Sequence, residues 1–260
     1  MTTASPSGQP ARDNRVAPAA SRQPDVGWLG LLIAAACATI ASFIAAMIFA
    51  GSIAGFFLAM AAPIVVGLLV VWRWRRNGIV VLGVVLLAEL ASSAPFLTDA
   101  LTHPETPADF LPLALFALAT LTGSIAAVPA FRQTRQRVGA SRAATAVAGV
   151  AVVIMVAATA VSIVAAGRVD SVTAQPGDIA LTTTDFQFEM SSVTADAGTV
   201  AVTVTNDDPT RHTFTIDELS VDLDVPPGTT QRVTFQADAG TYRFYCIPHA
   251  PDMAGQLVVR

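Results

Sequence analysis

Four side chains near the end of this chain carry more chemical potential than the rest of it: His212, Cys246, His249 and Met253. The last three form a Cys-x-x-His-x-x-x-Met pattern within CIPHAPDM, and His212 precedes the cysteine by thirty-four residues. Together they offer one thiolate, two imidazoles and one thioether. A trigonal set of two imidazoles and a thiolate, with a weak axial thioether, suits copper in both oxidation states, because it combines soft sulfur with borderline nitrogen. Zinc is the other candidate metal, although it rarely takes a thioether. The second cysteine, Cys37, lies inside a long apolar run and cannot pair with Cys246. A lone thiol in an oxidising compartment is vulnerable unless something occupies it. Any one of the four residues has a bland reading as a core or surface side chain. Their combination, using two of the three histidines in the chain, makes coincidence a poor account.

These residues must be held by strands. From Asp178 onward short alternating runs are separated by turns, the pattern of an all-β antiparallel Greek-key sandwich of some seven strands. Alternate residues of a strand share a face. TVAVTVT places Val200, Val202 and Val204 together; RHTFTI groups His212 with Phe214 and Ile216; TYRFYC groups Cys246 with Tyr242 and Phe244. Both His212 and Cys246 should therefore approach from the core at one end of the sandwich, with His249 and Met253 supplied by the loop that follows. Turns are expected at Asn206-Asp207-Asp208-Pro209, Pro226-Pro227-Gly228 and Asp238-Ala239-Gly240.

Everything before this domain belongs to a different environment. The 260 residues are 53% hydrophobic and 13% charged, against about 25% charged in ordinary soluble domains. Five apolar runs are each long enough to cross a bilayer, which needs about 20 helical residues: Trp28 to Ala50, Ile53 to Trp72, Gly78 to Leu97, Phe110 to Phe131 and Ala143 to Ala166. The expected organisation is a disordered cytoplasmic tail (1–27), a five-helix transmembrane domain (28–167), a linker (168–177) and an extracytoplasmic copper domain (178–260). The first run is too long for the apolar core of a cleaved signal peptide. All fifteen basic residues are Arg; ten stand before residue 168 against six acids, and five from Arg168 onward against thirteen. This balance argues against nucleic-acid binding.

The Arg residues also orient the bundle, since short basic loops resist translocation. Arg12, Arg15 and Arg22 precede the first run, Arg73, Arg75 and Arg76 separate the second and third, and Arg132, Arg135, Arg137 and Arg142 separate the fourth and fifth. The Gly51-Ser52 turn and the acidic loop Thr98 to Asp109 contain none. The N-terminus is thus expected in the cytoplasm and the C-terminal domain outside a cell membrane crossed several times. Within the runs, Glu89 reads equally as a functional carboxyl or as a protonated one paired with Ser92 or Ser93. No span contains a histidine, which excludes haem held by paired imidazoles there, and Met47, Met60 and Met155 lack the spacing of a thioether channel.

The stretch from Asp178 to Arg260 resembles the cupredoxins, whose plastocyanin, pseudoazurin and amicyanin branches share the short Cys-x-x-His spacing. The resemblance is carried by DFQFEM, TVAVTVTNDD, RHTFTI, VPPGTTQRVTF and AGTYRFYCIPHAPDMAGQLVV. It implies His212, Cys246, His249 and Met253 as ligands of one type 1 copper, with His249 as the electron port among Ile247, Pro248, Ala250 and Pro251. Two features depart from the family. Three residues separate His249 from Met253, where plastocyanin-like loops have four and amicyanin-like loops two, and Thr213 stands where many members have Asn.

The expected function is single-electron transfer at the outer face of the membrane, without enzymatic activity. A module for copper storage, delivery or sensing is the alternative. Copper oxidases and nitrite reductases need several further histidines, and only His103, in the loop THPETPAD, is left. Expected partners are the lipid bilayer and a transient redox protein, a basic cytochrome being suited to Asp207, Asp208, Asp217, Glu218, Asp222 and Asp224.

Overall fold

The computed structural model describes residues 27–49, 55–134 and 141–260. The expected tail up to Val26, the Gly51-Ser52 turn, and Arg135 and Arg137 lie outside the described residues. The apolar runs form helices, and the described residues contain six: α1 (Trp28–Phe49), α2 (Gly55–Arg73), α3 (Arg75–Ser92), α4 (Ala94–Thr102), α5 (Pro107–Gln133) and α6 (Arg142–Ala166). Four of them are long and apolar enough to cross a membrane, and α3 with α4 makes a fifth if that bent pair is one span. The third apolar run is therefore not the single helix expected over Gly78 to Leu97. It breaks at Ser93 with a 60° bend. The cause is Pro95, which has no N–H to donate and whose ring would clash with the helix behind it. The loop expected over Thr98 to Asp109 is correspondingly shorter. Thr98 and Thr102 bond back to the carbonyls of Ala94 and Thr98, continuing α4, and Pro107 opens α5 in its first turn, where a missing N–H costs nothing.

Large apolar side chains, among them Leu32, Ile64, Leu82, Leu86 and Phe116, fill the centre of the bundle. Helices α2 and α3 form a tight hairpin in which Gly78 lies against the backbone of Val70 and Val71, where a Cβ would collide.

The C-terminal part has nine strands: β1 (Ile179–Thr184), β2 (Gln187–Phe188), β3 (Ser192–Ala195), β4 (Gly198–Asn206), β5 (His212–Ile216), β6 (Val221–Val225), β7 (Thr230–Ala237), β8 (Gly240–Tyr245) and β9 (Ala254–Val259). They form two sheets, ordered β2-β1-β4-β7 and β3-β9-β8-β5-β6. The sandwich is mixed rather than antiparallel throughout, since β1 runs parallel to β4 and β3 parallel to β9. Val200, Val202, Val204, Phe214, Ile216, Phe244 and Leu257 meet in a core separate from that of the helices. The segment between the two parts is not a free spacer. Val172 donates to the Thr230 carbonyl and Thr230 to the Ser171 hydroxyl, which lays the segment against the edge strand β7.

Candidate metal centre

Strand β5 begins at the site and is buried on both faces. His212, Phe214 and Ile216 point into the sandwich core, while Thr213 and Thr215 share a hydrogen bond on the opposite side. Cys246 follows β8 directly and is fully buried. A short 3-10 turn, Ile247–His249, brings His249 back toward the cysteine. The His249 amide donates to the Cys246 carbonyl, the Met253 amide to the His249 carbonyl and the Cys246 amide to the Met253 carbonyl. Three of the expected ligands thus sit on one closed backbone loop.

The side chains of His212, Cys246 and His249 converge. The two Nδ1 atoms are 3.1 Å apart, and the Cys246 Sγ lies 3.5 Å from that of His212 and 3.3 Å from that of His249. A trigonal metal bound at about 2.0 Å to nitrogen and about 2.3 Å to sulfur separates its donor atoms by about 3.5 to 3.7 Å, so small side-chain shifts open this triangle to fit one ion. The cluster is compatible with copper. Met253 is 1% exposed and packs in the core that also contains Cys246.

Proton occupancy favours a metal over a charged imidazole. Burial lowers the pKa of both histidines, that of His249 to about 4, with the neighbouring His212 adding to the effect. Their ring nitrogens therefore remain available as neutral donors over the physiological range. Burial pushes the Cys246 thiol up, against the opposing effect of the Thr213 amide, which donates to Sγ at 3.3 Å. A bound cation would take the place of the thiol proton. Thr213 also accepts from the Ile247 amide through its hydroxyl, so it ties the first-ligand strand to the ligand loop.

The residue that the sequence did not single out for this role is Asp208. It is 7% exposed, and its Oδ2 lies 2.7 Å from His212 Nε2. This contact places the imidazole proton on Nε2 and turns Nδ1 toward the cysteine, the usual arrangement of a carboxylate behind a metal-binding histidine. The same carboxylate accepts from the amides of Asp185 and Phe186. Both residues have positive φ, 52° and 60°, as the two-residue hairpin between β1 and β2 requires. The tight turn sets Phe186 edge-on to both imidazoles, 5.0 Å from the His249 ring and 6.0 Å from the His212 ring between centroids. Asp208 is itself placed by buried Asn206, whose side chain bonds Thr183, Thr210, Val225 and the Asp208 amide. In sequence Asp208 is one of a run of acids. The only local cue is its position four residues before His212.

The site faces the helices. Arg211, next to the first ligand, donates its backbone amide to Asp109 of α5 and its guanidinium to Asp99 of α4 and Asp224 of β6. A crevice of about 370 Å³ lies alongside, lined by Phe96 and Leu113 of the bundle and by Ile247, Pro248 and His249 of the ligand loop. His103, expected within a loop, caps α4; its Nδ1 is 2.8 Å from the Asp99 carbonyl oxygen and its Nε2 3.5 Å from Asp224.

Compared with known families, residues 148–259 match the Cupredoxin-like domain, a stretch that begins inside α6. Among solved structures, an oxidized variant of amicyanin is 22% identical with a TM-score of 0.29, over 35% of this chain and 89% of that one. The periplasmic domain of subunit II of cytochrome oxidase (CoxB) of Bradyrhizobium japonicum is 24% identical with a TM-score of 0.24, over 26% of this chain and 54% of that one. A copper binding protein solved by NMR in its apo form is 16% identical with a TM-score of 0.29, over 35% and 96%. No curated protein matches the chain. The two facing sheets lie within the matched stretch, so the C-terminal part of this chain carries a cupredoxin-like domain.

Proposed function

We propose that this domain holds one copper ion in a type 1 site and passes single electrons at the outer face of a membrane in which the helices anchor it. The carrying observation is the convergence of two imidazole Nδ1 atoms and one thiol sulfur within 3.1 to 3.5 Å of one another. Copper would supply a one-electron couple. The protein's part is to keep the donor set fixed, so that little rearranges when the charge changes. Cys246 gives the thiolate, with the Thr213 amide on its sulfur. His212 gives a buried nitrogen oriented by Asp208. His249 completes the trigonal set, and Met253 is assigned the axial position.

The function is carriage rather than catalysis. His103, the one further histidine, sits beside Asp99 and Asp224, whereas copper oxidases and nitrite reductases need several. A basic redox protein is the proposed acceptor. Of the acids suited to steering it, Asp207, Asp217, Glu218 and Asp222 are exposed, whereas Asp208 and Asp224 are engaged by His212 and Arg211. Voltammetry of the copper-loaded protein tests the reading. A reversible one-electron couple is expected; copper that binds without one would favour storage, delivery or sensing.

A further inference from the structure

A second group of metal-binding side chains comes together where the bundle meets the cupredoxin-like domain. The donor atoms of His103, Glu105 and Asp224 lie within 4.8 Å of one another. The first two belong to the turn between α4 and α5, the third to β6. Pro104 disfavours helix at the residue before it, so α4 stops at Thr102 with His103 as its cap. Thr106 is fully buried and donates both its amide and its hydroxyl to the His103 carbonyl. His103 and Glu105 are thus presented by a fixed turn. Asp224 stands opposite Thr213 in the sheet, one residue along from the first copper ligand.

The His103 ring is oriented as a ligand. Its Nδ1 lies 2.8 Å from the Asp99 backbone carbonyl. A carbonyl can only accept, so Nδ1 carries the proton and Nε2 presents a lone pair, the usual arrangement behind a metal-binding histidine. That lone pair faces Asp224 Oδ2 at 3.5 Å. Two acceptors that face each other need a cation between them. A second proton on the ring would serve, but it would draw nitrogen and oxygen to about 2.7–2.9 Å. Nitrogen and oxygen bound to tetrahedral zinc at about 2.0–2.2 Å stand about 3.4 Å apart, whereas neighbouring donors of square-planar Cu(II) stand at about 2.9 Å. The observed separation fits zinc. Arg211 holds the other oxygen of Asp224 and so fixes Oδ2 in place. Asp99, Glu105 and Asp224 outnumber that single guanidinium, which leaves negative charge for a divalent cation to neutralise.

We propose that His103 Nε2, the Glu105 carboxylate and Asp224 Oδ2 bind a zinc ion, with water completing the tetrahedron. The imidazole favours zinc over calcium and magnesium, which take oxygen ligands. The site uses none of the four copper residues and does not depend on the copper reading. Because its ligands come from both parts of the chain, the ion ties β6 to the turn between α4 and α5, beside the contacts that Arg211 makes with Asp99 and Asp109.

The test is titration of the full-length protein with zinc in detergent micelles, in competition with a chromophoric chelator. It is done in Cys246→Ser, so that the thiolate of the trigonal cluster does not hold the ion and the result stands whether or not copper binds. A saturable zinc site is expected. His103→Ala, Glu105→Gln and Asp224→Asn should each weaken it by about tenfold or more, since even an outer-shell partner is worth about 10- to 100-fold in affinity. Asp224→Asn keeps an oxygen acceptor for Arg211, so its effect reports the ligand oxygen. Absence of saturable binding would mean that a second ring proton bridges His103 and Asp224, and zinc held equally well by all three variants would place it elsewhere in the chain. Either result would overturn the proposal.

Discussion

At the scale of single residues, the site depends on Asp208 as much as on the ligands. Its two carboxylate oxygens orient His212 and hold the amides of a hairpin whose central residues both have positive φ. Removing one oxygen's charge disturbs both. Asp208→Asn is expected to lower metal affinity by about 10- to 100-fold, the usual cost of losing a carboxylate behind a metal-binding histidine. Competition against a copper chelator would measure it, and an unchanged affinity would show that His212 needs no such support. The histidines, cysteine and methionine were legible because few residue types make that donor set. Asp208 was not, because a carboxylate in an acidic run looks like solvated surface until the fold buries it.

At the scale of elements, period and punctuation carried most of the reading. Strict alternation located β4, β5 and β8 and the faces that they bury, and Pro at N1 or N2 marks where α4 and α5 begin. The orientation of the helices remains a prediction from Arg placement. A reporter fused after Arg260 should be active only outside the cytoplasm, and one inserted beside Arg132 only inside; exchanged activities would overturn this orientation. The break at Ser93 was less legible, since hydropathy averages over a single proline. The parallel pairings of β1 with β4 and β3 with β9 were not legible at all. Pairing across the sandwich is set by contacts distant in sequence, and alternation is the same in both directions.

At the scale of the whole molecule, Arg211 links the metal centre to the bundle. It bonds Asp99 and Asp109 from the position just before the first ligand, and His249 lines a crevice together with Phe96 and Leu113 of the bundle. A soluble partner therefore reaches His249 less easily in the intact protein than in the C-terminal domain alone, which has its own core. Electron exchange with a soluble basic cytochrome should be faster for residues 170–260 than for the full chain. Asp99→Asn, which removes a paired charge without touching a ligand, should move the full chain toward the faster rate. Equal rates for all three proteins in stopped flow would mean that the docked arrangement does not limit access. The linker could not foretell this geometry, since its sequence does not show that it pairs with β7.

The central claim is that Cys246, His212 and His249 hold copper as a trigonal set. The most direct measurement is the visible absorption spectrum of the protein after addition of one equivalent of Cu(II). The account predicts an intense thiolate-to-copper charge-transfer band that makes the protein blue, saturates at one copper per chain and disappears in Cys246→Ser. A colourless Cu(II) complex, or a spectrum that survives loss of Cys246, would contradict it.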